Sequence, residues 1–352
     1  MTSGIIQLLT LLNIHQPPHE VGFLTFTGLF YPFVLVINIL LIFIWMILGK
    51  KIFLFPLAVI LVTIHISAGY VQLNPYKRVK TANSIKVLTY NVKYLGKDDA
   101  SGLDREKEKI FSFLEQQKPD IICLQEFDCQ KGSFLEIVDD LKKRTNIEHY
   151  IFTRYYPGNS NTERILLLVK QEVTNKGSLT DIHKRRFAVF ADIIINEDTV
   201  RVINCHLQSV YLREEDNLGL NDFTYESQTS GIFQEKSKKI YNKLARAFEK
   251  RALQTAQLKQ FITQSPHEVI LCGDFNDTPS SFAYSSIKKI MTDAFLKSGR
   301  GAGTTYHGKY PSFRIDYIFH SKKIKSAEYH IYNKLECSDH YPVSVMLDVQ
   351  DK

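Results

Sequence analysis

An acid and an amide stand two residues apart at the end of an apolar run in the last third of the chain. Residues 269–272 are apolar and predict a buried strand that ends at Gly273, and Pro279 prevents its continuation. Asp274 and Asn276 leave the same side of an extended chain. A carboxylate beside an amide donor suits the activation of a water next to a phosphate. The same pair also fits an Asx turn, in which both side chains serve only the backbone.

Polar side chains recur at the ends or starts of other apolar runs. One such placement is unremarkable, but six of them in strands that can lie side by side indicate one shared polar cleft. Besides Asp274 and Asn276, the set comprises Asn91 after 87–90, Gln125 and Glu126 after 121–124, His206 after 202–205, Asp316 within 314–318, and Ser338, Asp339 and His340 before the last strand.

The elements that must position these residues alternate between apolar strands and amphipathic helices. This alternation predicts an α/β or α+β sandwich of two packed sheets covered by helices. Strands are predicted near 85–90, 121–124, 150–153, 165–169, 187–195, 199–206, 269–272, 315–320 and 343–347, and helices near 106–117, 133–144, 234–263 and 281–290.

The first 76 residues have a different character. No charged residue occurs in 21–49 or in 52–76, and the dense parts, 29–48 and 52–71, are each long enough to cross a bilayer. We therefore predict a transmembrane hairpin. A buried hairpin of a soluble domain is the alternative, and a signal peptide fits worse because there are two spans and no basic leader. The predicted division is 1–27, interfacial or a partial span; 28–74, two membrane helices; 75–84, a linker; and 85–350, a catalytic domain.

The orientation in the membrane rests on few charges. Lys50 and Lys51 between the two spans favour a cytoplasmic loop, which would place both the N-terminus and the large C-terminal region outside. Three basic residues after the second span (Lys77, Arg78 and Lys80) favour the opposite orientation. We expect a protein of the bacterial inner-membrane type whose catalytic domain faces the periplasm.

Composition narrows the chemistry only slightly. The chain has 352 residues and a net charge of +7, which is compatible with anionic substrates. Its five cysteines show no CxxC or Cys/His spacing, so we expect neither a structural zinc site nor a disulfide framework.

The local motifs and their order resemble the endonuclease/exonuclease/phosphatase superfamily, which has the DNase-I-like fold. Membrane-tethered bacterial members of that superfamily look similar. The resemblance covers about residues 84–349 and implies a four-layer α/β sandwich with two mostly antiparallel sheets flanked by helices. The matching motifs are TYNV at 89–92, LQE at 124–126, HLQS at 206–209, GDFND at 273–277, RIDYI at 314–318 and SDH at 338–340.

The resemblance implies a hard divalent cation, Mg²⁺ or Mn²⁺. Glu126 would be its main ligand, with Asn91 and Asp339 close by. Such a cation keeps several waters and needs few carboxylates, which suits this sparse set. It would neutralise phosphate charge and stabilise the leaving oxygen.

The resemblance also implies the catalytic roles. Asp274 would orient or deprotonate the attacking water, and Asn276 would hold a phosphate oxygen. His340, steadied by Asp316 through its other ring nitrogen, would stabilise the transition state. His206 would be a second donor to the phosphate or the general acid.

Each of these residues also has a structural interpretation. Glu126 could be a solvated loop acid, His206 a core histidine, and Asp316 a partner of Arg314. Arg251 and Gln254 are expected to brace the fold beneath the site.

Two segments bear on the substrate. Residues 163–170 depart from the family pattern of a Gly and a Ser-Lys pair, so that Arg164 becomes a weak candidate for a phosphate contact. The loop at 211–231 carries Glu214, Glu215 and Asp216, which argues mildly against a DNA track.

The sequence therefore predicts a membrane-anchored, Mg²⁺-dependent phosphoesterase. Its partners would be the lipid bilayer and a phosphate ester, either a lipid headgroup, a nucleotide or a nucleic acid, and we infer no protein partner. An endonuclease acting on DNA or RNA, or a non-catalytic binding module on the same fold, are the alternatives.

Overall fold

The structure is a computed structural model. It describes residues 1–76, 84–96, 103–128, 134–153, 165–182, 184–210, 232–308 and 311–349. Most of the predicted linker, the basic residues at 77–80, Arg164 and the acidic loop at 211–231 lie outside these ranges.

Four helices form the N-terminal region. They are α1 (Thr2–His15), α2 (Pro18–Val21), α3 (Phe26–Ile47) and α4 (Leu54–Ser67). Helix α1 runs antiparallel to α3. Ser3, near the start of α1, donates a hydrogen bond to Asn38 in the middle of α3. Asn13, near the end of α1, lies beside Gly28 near the start of α3. Among the described residues, one helical stretch, Pro18–Ile47, has the length and composition to cross a membrane.

The hairpin of two spans stays a prediction. Helix α4 has 14 residues, a length of about 21 Å, which is short of a hydrocarbon core of about 30 Å. Within the segment 1–27, predicted to be interfacial or a partial span, α1 packs against α3 and α4.

This bundle buries polar side chains beside a small apolar cluster, and it exposes large apolar side chains on its outer face. Gln7, Asn38 and Thr63 are each at most 1% exposed and are hydrogen-bonded to one another through Gln7. By contrast, Leu40 and Phe43 on the outer face of α3 are 55% and 59% exposed. A helix bundle in water has the opposite distribution, with its apolar stripe turned inward.

Two six-stranded sheets form the rest of the molecule. The strands are β1 (Val71–Leu73), β2 (Ser84–Asn91), β3 (Ile121–Gln125), β4 (His149–Phe152), β5 (Leu166–Val169), β6 (Val173–Thr180), β7 (Arg186–Ile195), β8 (Asp198–His206), β9 (Glu268–Asp274), β10 (Thr292–Asp293), β11 (Arg300–Ala302), β12 (Asp316–His320), β13 (Lys325–Ile331) and β14 (Val343–Asp348). The first six-stranded sheet has the order β13-β14-β2-β3-β5-β4 and the second β10-β12-β9-β8-β7-β6, while β1 and β11 form a separate pair.

Helices cover both outer faces of the two sheets, so the predicted four-layer sandwich is confirmed. They are α5 (Leu103–Gln117), α6 (Phe134–Thr145), α7 (Ile232–Thr263), α8 (Phe282–Lys288) and α9 (Ala294–Ser298). One apolar core lies between the sheets, a second lies under α5 and α6, and a third lies under α7 and α8. Cys123 and Cys272 belong to the core between the sheets.

The nine predicted strands are present. Five further strands were missed: β1, β10 and β11, which have two or three residues each, and the longer β6 and β13. Both are edge strands whose exposed positions interrupt any apolar run. An edge strand buries only part of one face, so its sequence carries little hydrophobic signal. Edge position therefore explains both omissions.

Gly273 marks the closest backbone approach at the site. Its φ is 143°, and a Cβ there would lie 1.9 Å from the carbonyl oxygen of Cys205 on the neighbouring strand. Only glycine permits this approach, which brings the ends of β8 and β9 together.

We therefore predict that Gly273→Ala destabilises the protein by about 3 kcal/mol or more, because strand β9 must move away from β8. Gly301→Ala is the matched control: its φ is also positive, at 75°, but nothing lies within 4 Å of its added Cβ. Gly301→Ala should lower the free energy of unfolding by about 1 kcal/mol. Chemical denaturation of both variants measures the difference, and equal losses would contradict this account.

Candidate active site

The polar residues predicted to share a cleft end at one edge of the two sheets. Strand β2 ends at Asn91, and its parallel neighbour β3 ends just before Glu126. In the second sheet, β8 ends at His206 and its parallel neighbour β9 ends at Asp274. Parallel strands deliver their last residues to the same edge. Asp316 begins the antiparallel strand β12 directly opposite Asp274. The edge is therefore fixed by strand pairing and not by loop conformation.

Asp274 lies at the centre of the cluster and is 1% exposed. Its Oδ1 accepts a hydrogen bond from the backbone N–H of Asn276 at 2.7 Å, which is the Asx turn considered from the sequence. Its Oδ2 accepts from the side-chain amides of Asn91, at 2.9 Å, and Asn276, at 3.2 Å. The Asx turn is therefore present, and the other carboxylate oxygen is directed at the cleft; the catalytic interpretation stays a prediction.

Strained backbone accompanies these side chains. Glu126 and Asn276 have φ values of 50° and 52°, in the left-handed region that few non-glycine residues adopt. Such strain concentrates at functional sites, where it aims a side chain that a relaxed turn would direct elsewhere. Glu126 is thereby turned toward Asn91, whose side-chain N–H donates a hydrogen bond to Glu126 Oε1 at 3.1 Å.

His340 is held by Asp316. Its Nδ1 lies 2.9 Å from Asp316 Oδ2, and its Nε2 lies 3.8 Å from Asp274 Oδ2. Asp316 does not pair with Arg314, whose guanidinium forms two bonds of 2.7 and 2.8 Å with Asp293. The structure thus excludes the alternative pairing and favours the orienting role for Asp316.

Burial and neighbouring charges shift two pKa values in the site. Burial, reinforced by the charge of Asp316, raises the pKa of Asp274 to about 7. Burial lowers the pKa of His340, but the charges of Asp316 and Asp274 outweigh it and raise that pKa to about 10. Near neutral pH, His340 is therefore a cation and Asp274 can exchange a proton, as an acid–base pair requires.

A second group of atoms could hold a cation. One ligand atom each from Glu126, His206 and Asp274 lies within 4.8 Å of the others. His206 Nε2 is 3.7 Å from Glu126 Oε1 and 3.6 Å from Asp274 Oδ2. Asp339, expected nearby, directs its carboxylate toward Lys93 Nζ at 3.5 Å.

The model of the endonuclease/exonuclease/phosphatase family matches residues 88–340, well over half of the chain. The chain belongs to this family. A second family model, that of a domain of unknown function, matches residues 2–70. No curated protein matches the chain.

Solved structures share the fold of this family. An endonuclease/exonuclease/phosphatase from Bacteroides vulgatus is 19% identical with a TM-score of 0.56, covering 77% of this chain and 100% of its own. A mannosyl-6-phosphatase from Bacteroides thetaiotaomicron is 17% identical with a TM-score of 0.50, covering 75% and 99%. A humanized D. rerio TDP2 is also 17% identical with a TM-score of 0.50, covering 76% and 100%.

Two residues near the candidate site, Tyr306 and Asn204, were not singled out from the sequence. The ring of Tyr306 meets the ring of His340 edge-on, with centroids 5.2 Å apart. Buried Asn204 donates to the carbonyls of Leu124 and Leu166, and so ties the two sheets together behind the site. No sequence signal marked Tyr306, because its pairing with His340 depends on a loop conformation.

The residues expected to brace the site do so. Arg251 Nε donates to Asp277 at 3.0 Å, and its Nη1 donates to the carbonyl of Gln208. Gln254 accepts from the backbone N–H of Gln208. Helix α7 therefore supports both the loop that follows Asn276 and the segment that follows His206.

The pKa shifts predict the pH dependence of activity. Asp274 must be ionised to accept a proton and His340 must keep its own, so kcat/KM should rise through a pH of about 7 and fall through a pH of about 10. Asp316→Asn removes a charge that raises both pKa values, so both limbs should move to lower pH. Glu197→Ala, an exposed acid at the opposite end of β8, is the control. An unmoved descending limb in Asp316→Asn would contradict the assignment.

Proposed function

We propose that the chain is a membrane-anchored, Mg²⁺- or Mn²⁺-dependent phosphoesterase that directs water onto a phosphorus atom. The observation that supports this most strongly is the buried triad of Asp274, Asp316 and His340, opposite Asn91 and Glu126 at one sheet edge. In this proposal an ionised carboxylate and a charged imidazole face each other across a gap of 3.8 Å. A water and a phosphate would bind beside this pair, within hydrogen-bond reach of Asp274 and His340.

Asp274 is the proposed base. Its Oδ2 would accept the proton of the attacking water, while the Asn276 N–H keeps the carboxylate in place through Oδ1. His340, charged at neutral pH, would donate from Nε2 to a phosphate oxygen as negative charge develops there. Asp316 keeps the other nitrogen of the ring, Nδ1, protonated and the ring oriented.

Asn276 and His206 are the proposed phosphate donors. In the structure the Asn276 amide donates to Asp274 and to the carbonyl of Leu207, so it must turn one N–H toward the substrate. His206 is 4% exposed and faces Glu126 and Asp274, as a phosphate-side donor would.

The residues present fit a divalent cation. Two carboxylates with little solvent, Glu126 and Asp274, direct oxygens to one place, where a cation would offset their repulsion. Glu126 and the side-chain oxygen of Asn91 would hold the cation, the latter after rotation of the Asn91 amide. Asp339 would contribute a third oxygen once its ion pair with Lys93 is broken. When bound, the ion would supply charge neutralisation for the phosphate and the leaving oxygen.

Substitution of the base and of the acid tests the proposal. Asp274→Ala and His340→Ala should each lower kcat/KM by about 10²- to 10⁴-fold on a generic phosphomonoester or phosphodiester. EDTA should abolish the activity and added Mg²⁺ or Mn²⁺ should restore it. Glu197→Ala should behave as wild type. Activity that survives both substitutions would overturn the assignment.

A substrate panel separates the remaining choices. DNA and RNA test the endonuclease alternative, and a sugar phosphate tests a likeness to the mannosyl-6-phosphatase. Sphingomyelin, inositol phosphates and nucleotides test headgroup and small-molecule esters. A folded chain that binds one of these and hydrolyses none would be the binding module.

The membrane anchor is supported by the inverted polarity of the N-terminal bundle. The paired side-chain amides of Gln7 and Asn38 inside, and exposed Leu, Ile and Phe outside, suit hydrocarbon, where polar groups must find partners within the protein. The periplasmic placement of the catalytic domain remains a prediction, and C-terminal reporter fusions would decide it.

We predict that the full chain stays in the membrane pellet after alkaline carbonate and enters solution only with detergent. Replacing Leu40 and Phe43 together by Lys should move it out of the membrane fraction, since each charge at the centre of a span costs about 3 kcal/mol. Ile182→Lys is the control, because Ile182 is 67% exposed on the catalytic domain. Release of the wild-type chain by carbonate alone would contradict an integral anchor.

A further inference from the structure

The loop that follows the catalytic pair is held by the N-terminal bundle. Ser280 lies four residues after Asn276, and its carbonyl accepts the side-chain amide of Asn13 on α1 at 2.8 Å. Its hydroxyl donates to the carbonyl of Gly28 on α3 at 2.6 Å and also bonds the hydroxyl of Tyr70 beyond α4. One buried serine thus contacts three separate segments of the N-terminal region.

Two glycines make this contact close. A Cβ on Gly28 would lie 2.6 Å from the carbonyl oxygen of Ser280, and a Cβ on Gly69 would lie 2.4 Å from the Cβ of Pro279. Neither separation is possible between real atoms, so the loop packs against bare backbone at both points. The docking is therefore as tight as a domain interior.

The same bundle end also holds the strand that carries Asp316. Arg314, two residues earlier, is 1% exposed and donates to the carbonyl of Gly69 at 3.1 Å as well as to Asp293. This bond satisfies a carbonyl at the end of α4, which would otherwise lack a helical partner. A displacement of α4 would therefore act on Arg314 and, through it, on the residue that orients His340.

A third contact leads to His340 from the other side. Phe33 on α3 packs edge-on against Phe313, whose backbone pairs with Tyr306. Tyr306 in turn contacts the His340 ring. Separate paths thus connect the bundle to Asp274 and to His340.

We propose that the N-terminal helices are part of the catalytic unit, and that Ser280 is a positioning residue through which they hold the Asp274–Asn276 loop in its reactive geometry. The inference rests on the phosphoesterase function proposed above. A passive tether would only determine where the enzyme works. A positioning bundle also determines how fast it works, on substrates that never touch a membrane.

A matched pair of amides in the bundle distinguishes these cases. Asn13 bonds the catalytic loop, whereas Asn38 bonds Ser3 and Gln7 inside the bundle. Asn13→Ala should lower kcat on water-soluble p-nitrophenyl phosphate or bis(p-nitrophenyl) phosphate by about 10- to 100-fold, because sub-ångström misplacement of reacting groups has effects of this order. KM should change by less than about threefold, since the base Asp274 and the donor Asn276 both act mainly on charge that develops in the transition state. Asn38→Ala should keep kcat within about twofold of wild type.

Serine substitutions provide the second comparison. Ser280→Ala removes one oxygen and should lower kcat as Asn13→Ala does. Ser298→Ala is the control, because this buried hydroxyl bonds only Ala294 of its own helix. All variants are assayed as full chains in detergent, with thermal unfolding measured alongside and kcat expressed per folded molecule. Where Asn13→Ala does not fold, Ser280→Ala decides.

The outcomes separate the two proposals. An inactive wild-type chain across the substrate panel refutes the phosphoesterase function itself. An active wild type with folded Asn13→Ala and Ser280→Ala variants of unchanged kcat refutes the positioning role alone. Loss of kcat in both variants, with Asn38→Ala and Ser298→Ala unaffected, supports it.

Discussion

The buried carboxylate of Asp274 is the constraint on which the rest of the site depends. Removing a carboxylate from water is costly, and a second buried carboxylate, Asp316, lies across the strand pair. The pair is tolerated because the cationic ring of His340 lies between them and two amides, those of Asn91 and Asn276, donate to Asp274. These partners come from both sheets and from opposite strand directions. Both sheets must therefore end at one edge, and this requirement accounts for the parallel pairs in otherwise antiparallel sheets.

This edge could be predicted from sequence because strand ends carry a strong local signal. An apolar run followed at once by an acid or amide marks both the strand and the place where its side chains leave the core, as at Asn91 and Gln125. The sequence left two interpretations of Asp274 because a carboxylate has two oxygens that can do different work. Only coordinates show that one oxygen serves the turn and the other faces His340.

Other features were not accessible in this way, for identifiable physical reasons. The sequence left Asp316 as an alternative partner of Arg314, but the partner is Asp293, which a strand hydrogen-bonded to β12 brings close. The bundle depends on contacts between residues far apart in the chain, such as Asn13 and Ser280, and no local pattern encodes a separation of 267 residues. The apolar stretch of α1 was too short to span a bilayer upright, and the partners of its polar residues, which lie on other segments, could not be identified from sequence.

The same polar residues give the bundle both of its properties. In a hydrocarbon environment an unpaired amide is costly, so Gln7 and Asn38 pair with each other within the bundle. Asn13 lies further along α1, where the bundle ends and the catalytic loop begins, and it donates directly to the carbonyl of Ser280. The first contact stabilises the bundle, and the second connects it to the loop. The segment boundary near residues 75–84 therefore separates two stretches of sequence, but the residues that pack together on either side of it form one mechanical unit.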